Sequence, residues 1–267
     1  MLAMNKPSHS IITETIKGYK ERRIWLRLAK MAIDTQYKQN TLGPLWIAAN
    51  TGILVVAFSV VYSHILKVEL DQHIVYVASG LILWYFYSSI LLKSCTVFLA
   101  NRQLILQLPL PVSLHIFKLV FQELLTFAYN LLVVVLVCLI FMQSIDVKGF
   151  VLAVLAFLFI SINAYFAAFV LAIIATRYRD VTSTVQALIT PMMFLTPIIW
   201  SEDSLSERPA FISYNPFFHL IEIWRSPILG TPVPYESWVF VTLLTVFVLV
   251  VCGVLFARYN KRIAFWL

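Results

Sequence analysis

The chain has 267 residues, of which 61% are hydrophobic and only 12% are charged. A soluble globular domain is about one half apolar and about one quarter charged, so this composition excludes an ordinary soluble protein and predicts an integral membrane protein. The net charge of +7 does not indicate a nucleic-acid surface, because the lysines and arginines lie mostly at the ends of apolar runs, as membrane topology requires.

The N-terminal segment, residues 1–44, is polar and basic, and residues 1–21 show no regular pattern. From residue 22 to 35, apolar residues recur with helical spacing, and Arg23 and Arg27 lie on the opposite side. A basic amphipathic helix of this kind lies flat on a membrane, although some soluble helices share the pattern. Because an apolar run follows closely, we predict an interfacial helix. Its apolar side carries Ile24, Trp25, Leu28, Met31 and Ala32.

Six apolar runs follow, each long enough to cross a bilayer as a helix. They cover residues 45–66, 74–92, 119–142, 149–176, 181–200 and 238–257. The connections on one side of these runs, together with both termini, hold 16 of the Lys and Arg residues, and the other connections hold 4. The positive-inside rule therefore predicts an all-α protein with six transmembrane helices and both termini in the cytoplasm. The predicted domains are a cytoplasmic segment at 1–44, one transmembrane domain at 45–257 and a cytoplasmic tail at 258–267.

The inner connection between the second and third runs is predicted to contain a short helix. Asn101 is a suitable N-cap, and two prolines end the segment. Leu104, Ile105 and Leu108 share one face over about two turns. This face belongs either to a loop held against the membrane or to a helix that docks into a cytoplasmic partner, and periodicity does not separate the two.

The outer connection, about residues 201–237, contains five of the eleven prolines and one helix that is too short to span. Asn215 is predicted to cap this helix, which stops at a later proline, Pro227. Its ten residues rise about 15 Å, half of the hydrocarbon thickness. The helix, with Phe217, Phe218 and Trp224, therefore either re-enters the membrane as part of a conduit or gate, or lies at the outer interface as a cap.

Glu123 is the one charged residue inside the apolar runs, which makes it a candidate functional residue, because a charge in lipid is costly. It lies near Lys118, so an ion pair or a side chain that reaches the interface is an alternative to a proton relay. The fifth run carries a polar line with Gln186 and Thr190. This line either faces a cavity or holds helices together.

Aromatic residues cluster near the middle of the second run, at Trp84, Tyr85 and Tyr87, away from the run ends where aromatic belts lie. Aromatic faces suit sugar rings, although core packing is the commoner use of such residues.

The sequence carries no recognisable catalytic motif. It has no Gly-x-x-x-x-Gly-Lys-Ser/Thr phosphate loop, no His-Glu-x-x-His zinc pattern and no Gly-x-Ser-x-Gly elbow. Its three cysteines have no paired spacing. We therefore expect no catalytic residue, cofactor or metal in this chain.

Four short motifs occur in order along nearly the whole chain: Tyr37-Lys-Gln-Asn-Thr-Leu-Gly-Pro-Leu-Trp46, Gly80-Leu-Ile-Leu-Trp-Tyr-Phe-Tyr-Ser88, Arg177-Tyr-Arg-Asp180 and Tyr214-Asn-Pro-Phe217. With them, the chain resembles the membrane-spanning (permease) subunits of ABC-2 type exporters of O-antigen, capsular polysaccharide or teichoic acid. The Arg-Tyr-Arg-Asp motif is more similar to the O-antigen branch.

The resemblance implies a homodimer around one conduit in the bacterial cytoplasmic (inner) membrane. It also implies two copies of a separate ATP-binding cassette subunit, which would hold ATP and Mg²⁺. The residues expected to couple to that subunit are Arg23, Arg27, Asn101, Arg102, Leu104, Ile105 and Leu108. The residues expected to line the conduit or gate are Trp84, Tyr85, Tyr87, Gln186, Thr190, Asn215, Phe217, Phe218 and Trp224.

The leading functional hypothesis is that the chain is the permease of an ATP-driven exporter of a lipid-linked polysaccharide. Membrane lipid is expected as a further partner, and nucleic acid is not. One alternative is an exporter of a drug or small lipid within the same class. Another is an intramembrane glycosyl- or acyl-transferase, for which Glu123 is the acid/base candidate that the sequence offers. A copurifying ATP-binding subunit would favour transport, whereas activity of the lone chain would favour the enzyme.

Overall fold

The computed structural model describes residues 10–141, 146–201, 209–232 and 235–267, and within these ranges the chain is helical with short connections and no strand. The prediction of an all-α protein is confirmed. The helices, in chain order, are α1 (Ile11–Lys20), α2 (Arg22–Tyr37), α3 (Leu45–Leu66), α4 (Leu70–Ser94), α5 (Val97–Ala100), α6 (Arg102–Gln107), α7 (Ser113–Ile140), α8 (Val147–Arg177), α9 (Asp180–Leu195), α10 (Ala210–Ser213), α11 (Pro216–Leu229), α12 (Tyr235–Tyr259) and α13 (Ile263–Trp266).

Within the described ranges, five helices are long and apolar enough to cross a membrane: α3, α4, α7, α8 and α12. They coincide with five of the six predicted spans. The remaining run, residues 181–200, is divided, because α9 has 16 residues and ends at Leu195. Thr196 has extended backbone, as expected for the residue before a proline, and Pro197 cannot continue the helix. A helix of that length rises about 24 Å, which is less than the hydrocarbon thickness of about 30 Å.

Helix α4 is the centre of the bundle and packs against α3, α7, α8, α9 and α11. In the most apolar 18-residue stretch of α4, 78% of the residues are buried. The corresponding stretches of α3 and α12 have 22% of their residues buried. A helix with apolar residues on every side is typically buried, and small residues such as Ser79 and Gly80 let its neighbours approach.

Helix α1 was not predicted, and it packs against α7 and α12. Its buried positions are Ile11, Glu14 and Gly18, which include a carboxylate and a glycine, so a search for apolar periodicity does not detect them. Ser113, the first residue of α7, donates its hydroxyl to the Glu14 carbonyl oxygen at 2.7 Å and its backbone N–H to the Glu14 carboxylate at 3.5 Å. A carboxylate at this position complements the positive end of the α7 dipole.

Helix α2 is present as predicted, but its buried side differs from the predicted apolar side. The buried residues are Trp25, Ala29 and Ile33, whereas Met31 is 61% exposed. The Trp25 ring stacks on Phe117 of α7, with centroids 5.4 Å apart. The apolar side of α2 therefore contacts protein, because α7 lies beside it. Its position relative to the membrane remains a prediction.

We expect Gly18→Ala to weaken the contact between α1 and α7. A Cβ atom at Gly18 would collide with Ser113 Oγ and would lie 3.1 Å from Leu114 N, so the two helices would have to separate. Overpacking of this kind costs about 1–3 kcal/mol. The midpoint of thermal unfolding of the purified protein in detergent should therefore fall.

The matched control is Gly253→Ala, in which the nearest atom to the new Cβ outside the local helix backbone would be Ile11 Cγ2 at 3.7 Å, an ordinary contact distance. Equal unfolding midpoints for the two alanine variants would contradict the tight packing of α1 at Gly18.

Candidate functional site

A cavity of about 470 Å³ lies between α3, α4, α7 and α9, and we call it the polar cavity. Its polar lining comes from all four helices, and the aromatic rings of Trp84 and Tyr85 form part of its wall. The polar lining residues of the four helices include Asn50, Thr51, Ser88, Ser89, Lys93, Glu123, Thr126, Asn130 and Thr190. This arrangement brings together Trp84, Tyr85, Thr190 and Glu123, which the sequence analysis named separately.

An ion pair lies in the wall of the polar cavity, where Lys93 Nζ is 2.7 Å from the Glu123 carboxylate. The Glu123 side chain is 1% exposed and the Lys93 side chain is 49% exposed. Of the alternatives left open for Glu123, the structure shows an ion pair, but its partner is Lys93 and not Lys118. Residues five positions apart point about 140° away from each other on a helix. Lys118 instead donates to Asn101 Oδ1 at 3.3 Å.

Tyr87 lies outside the polar cavity, in a buried chain of hydrogen bonds. Its hydroxyl donates to Asn163 Oδ1 of α8 at 2.5 Å, and Asn163 Nδ2 donates to Thr245 Oγ1 of α12 at 2.9 Å. This chain connects α4, α8 and α12 through side chains that sequence reasoning did not bring together. A polar contact between helices is useful in lipid, where apolar surface alone gives little drive for association.

Asn215 caps α11 as predicted, because its Oδ1 accepts the Phe217 backbone N–H at 2.9 Å. Its Nδ2 also donates to Thr196 Oγ1 at 2.9 Å, which fixes the start of α11 to the end of α9. The predicted stop at Pro227 is wrong. The helix includes Pro227 and ends before Gly230, whose positive φ of 73° closes the last turn.

Helix α11 packs against α4, α8 and α12 and is buried along most of its length. Phe217 contacts Trp84 edge-on, with ring centroids 5.1 Å apart, and Trp224 Nε1 donates to the Ser79 carbonyl oxygen at 3.1 Å. At about 1.5 Å per residue, Trp84 lies about 21 Å along α4 from Leu70. The first turn of α11 therefore lies deep in the helical bundle, and its later turns run back along α4.

Arg225 is a buried cation, 2% exposed, beside the non-helical residues that follow α9. Its guanidinium donates to the Pro197 carbonyl oxygen at 2.8 Å and to the Glu222 carboxylate at 2.9 Å. It also lies over the Tyr76 ring, 3.8 Å from the centroid. A Cβ atom at Gly80 would lie 3.4 Å from this guanidinium, so Gly80 of the second motif packs closely against Arg225.

The predicted inner helix is present as α6, but two details differ. The Asn101 side chain does not cap it and instead donates to the Val97 carbonyl oxygen at 2.7 Å. Leu108 follows the helix with extended backbone, so it does not share a helical face with Leu104 and Ile105. Leu104 and Ile105 are half-buried and Leu108 is exposed.

All of the remaining candidate residues except Phe218 are at the surface of the single chain. Arg23, Arg27 and Arg102 are exposed, as are Gln186 and Thr190 on α9. In the described structure none of the residues of α9 is buried. Phe218 is buried in α11. No measurement on the structure assigns these side chains to a coupling surface or a conduit.

We expect Lys93→Met to destabilise the protein, because it leaves the buried Glu123 carboxylate without a cation. Adding Glu123→Gln should restore part of the loss, since glutamine carries no charge. The expected difference in the free energy of unfolding between Lys93→Met and the double variant is about 1–2 kcal/mol. It is below the value for a fully buried pair because half of the Lys93 side chain is exposed. Thermal unfolding in one detergent measures it. Lys148→Met, at an exposed position, is the control for loss of a lysine. A double variant no more stable than Lys93→Met would contradict the ion pair.

Comparison with known proteins identifies the family. The family model described as ABC-2 type transporter matches residues 24–229. Two relatives from Klebsiella pneumoniae are each named O-antigen export system permease protein RfbA. One is 25% identical over 238 residues, which cover 87% of this chain and 90% of the relative. The other is 24% identical over 234 residues, which cover 86% and 88%. With its five span-length apolar helices, the chain is a multi-pass membrane protein that belongs to the ABC-2 type transporter family.

Proposed function

We propose that this chain is the permease subunit of an ATP-driven exporter that moves a lipid-linked polysaccharide, of the O-antigen type, across the bacterial cytoplasmic membrane. The observation that carries the proposal is similarity over nearly the whole chain to two O-antigen export permeases of the same family. The polar cavity supports it, because a sugar chain needs hydrogen-bond partners inside an apolar bundle. Permeases of this family typically work with an ATP-binding subunit, which would supply ATP hydrolysis.

The most direct experiment removes this chain from cells that make a surface polysaccharide. Loss of surface polymer, with lipid-linked polymer retained inside the cell and restored export on complementation, is the expected result. Unchanged surface polymer together with a new sensitivity to an apolar drug would favour the small-molecule exporter instead.

In this proposal α9 and residues 196–200 together form the sixth span. The helix supplies about 24 Å of a hydrocarbon core of about 30 Å, and the bent, non-helical residues 196–200 would have to cover the rest. Non-helical backbone at membrane depth requires partners within the protein. Arg225 and Tyr76 donate to the Pro197 carbonyl oxygen, and Tyr76 also donates to that of Trp200. Helix α11 would then be a re-entrant element, suited to a gate by its depth beside Trp84.

The six-span arrangement predicts that both ends of the transmembrane domain lie on one side. Cysteines introduced at Gln103 and Lys261, both exposed, should react with a membrane-impermeant maleimide only from the cytoplasm. Five spans would place Lys261 on the opposite side, so labelling of that position from outside would exclude six. The native cysteines Cys95, Cys138 and Cys252 are buried, which keeps the background low.

The ATP-binding partner would contact α2 and α6. Both helices present exposed arginines, and a five-residue connection, residues 108–112, joins α6 to α7, the helix that carries Glu123. Movement of α6 would therefore reach the polar cavity through this short connection and α7. A second copy of the chain would cover α9, whose Leu188, Phe194 and Leu195 are exposed in the single chain.

We expect Leu104→Asp/Leu108→Asp to uncouple the permease from its partner. Burial of one leucine contributes about 1.5–3 kcal/mol, so its loss should weaken association at least about tenfold. Export and permease-stimulated ATP hydrolysis should both fall, while the amount of permease in the membrane stays constant. Gln107→Asp on the same helix controls for added charge, because Gln107 is already exposed. Normal ATP hydrolysis in the double variant would make α6 a surface connection without a coupling role.

A further inference from the structure

An apolar groove of about 900 Å³ lies between α3 and α7, with the start of α4 at its far end. All of its lining residues are apolar. Val55 and Val133 are buried at its floor, and Ile53 and Leu136 are exposed at its rims. We call it the apolar groove. On α3 it extends from Ala48 to Val60, which is about 18 Å and somewhat more than half of the hydrocarbon thickness.

The apolar groove is adjacent to the polar cavity. On α3, Thr51 lines the cavity and Gly52, the next residue, lines the groove. On α7, Asn130 lines the cavity, and Val133, one turn further along, lines the groove. The two spaces therefore share α3 and α7 as walls. They follow one another along α7, whereas on α3 Ala48 and Ala49 of the groove lie level with Asn50 and Thr51 of the cavity. In the six-span orientation the polar cavity occupies the cytoplasmic half of the membrane, and the groove lies in the outer half along α7 and extends into both halves along α3.

The polar cavity has hydrogen-bonding capacity that the protein does not use. Asn130 is 3% exposed, and its Oδ1 has no hydrogen-bond partner in the described part of the chain. Buried amide groups are nearly always paired, so this acceptor is available to a water molecule or to a polar group of a ligand in the cavity. The Lys93 ammonium has three N–H donors, and the bond to Glu123 uses one of them. The cavity thus offers an acceptor and spare donors.

The chemistry of the cavity favours an uncharged, hydroxyl-rich ligand. The Lys93–Glu123 pair has no net charge, so it gives a free anion little attraction. A sugar hydroxyl both donates and accepts, which matches Asn130 and Lys93 together. The rings of Trp84 and Tyr85 supply flat apolar surface beside these polar groups. A volume of about 470 Å³ is within the range of small-ligand sites.

We propose that the polar cavity and the apolar groove together form one binding site for a glycosylated lipid, with the lipid-proximal sugar in the cavity and the hydrocarbon chain in the groove. The inference rests on the proposed function and assigns the lipid end of the substrate to the inside of a single subunit. A hydrocarbon chain gains little by leaving lipid for an apolar groove. Selectivity therefore comes from the sugar, and the groove holds the chain in line with it.

The test uses two photoreactive lipids with the same diazirine-bearing hexadecyl chain, one with a glucose head group and one with phosphoethanolamine on a glycerol backbone. Each is added to the full permease complex in lipid nanodiscs, and crosslinked residues are identified by mass spectrometry. We expect the glucoside to label the groove residues of α3 and α7 about fivefold more than the phospholipid, the ratio that about one net hydrogen bond provides.

Two variants sharpen the test. Asn130→Leu should reduce glucoside labelling about fivefold and leave phospholipid labelling unchanged. Gly52→Leu, which fills the groove, should reduce labelling by both lipids. Val61→Leu, at an exposed position outside the groove, should change neither.

Equal labelling by both lipids in the wild-type complex would show that the groove holds only bulk membrane lipid, and would overturn the proposal without the use of any variant. That failure is distinguishable from failure of the proposed function. If the site is wrong but the function is right, Asn130→Leu and Gly52→Leu export polysaccharide normally. If the function is wrong but the site is right, the glucoside is still selected although removal of the chain leaves surface polysaccharide unchanged.

Discussion

The structure depends on one constraint, which is that backbone groups outside a helix, when they lie inside the bundle, must find hydrogen-bond partners within the protein. Pro197 ends α9 early and exposes carbonyl groups. The donors that satisfy them come from Tyr76 on α4 and Arg225 on α11. Because Arg225 must reach this place, α11 has to lie deep beside α4, where the guanidinium also packs against Gly80. The end of α9, the outer part of α4 and α11 therefore form one interdependent unit.

A second consequence of the lipid environment is that polar contacts, more than apolar burial, select which helices are neighbours. Lys93 links α4 to α7 through Glu123, and Tyr87 links α4 to α8 through Asn163. Both links begin on α4, six residues apart, whereas α3 and α9 have few buried residues. The polar cavity lies on the side of α4 where these outer helices meet it. A space of this kind can open or narrow when α3 or α9 moves, while the buried links keep the rest of the bundle in place.

Hydropathy alone located five spans, and local rules located the Asn215 cap and helix α2, because these features depend on residues close in sequence. Features that depend on distant residues were not predictable. The partner of Glu123 comes from another helix, and the line of buried residues in α1 contains Glu14 and Gly18, whose roles appear only beside α7. The run at 181–200 reads as one span because hydropathy does not register a proline that ends a helix. Trp84 and Tyr87 are nearby aromatic residues of the same apolar run, and the sequence does not distinguish their roles. Tyr87 belongs to a buried hydrogen-bond chain, whereas Trp84 lines the polar cavity.

These features describe a bundle that pairs many of its buried polar groups internally and keeps a polar cavity next to an apolar groove, an arrangement that suits the proposed amphiphilic polymer. The most direct measurement reconstitutes the permease with its ATP-binding partner in liposomes, with lipid-linked polysaccharide in the outer leaflet and the ATP-binding face outside. An added glycoside hydrolase then reports how much polymer remains accessible. The account predicts that ATP makes a growing fraction of the polymer resistant to the hydrolase, and that an ATPase-inactive partner abolishes this protection. Sustained ATP hydrolysis with all of the polymer still accessible would contradict it.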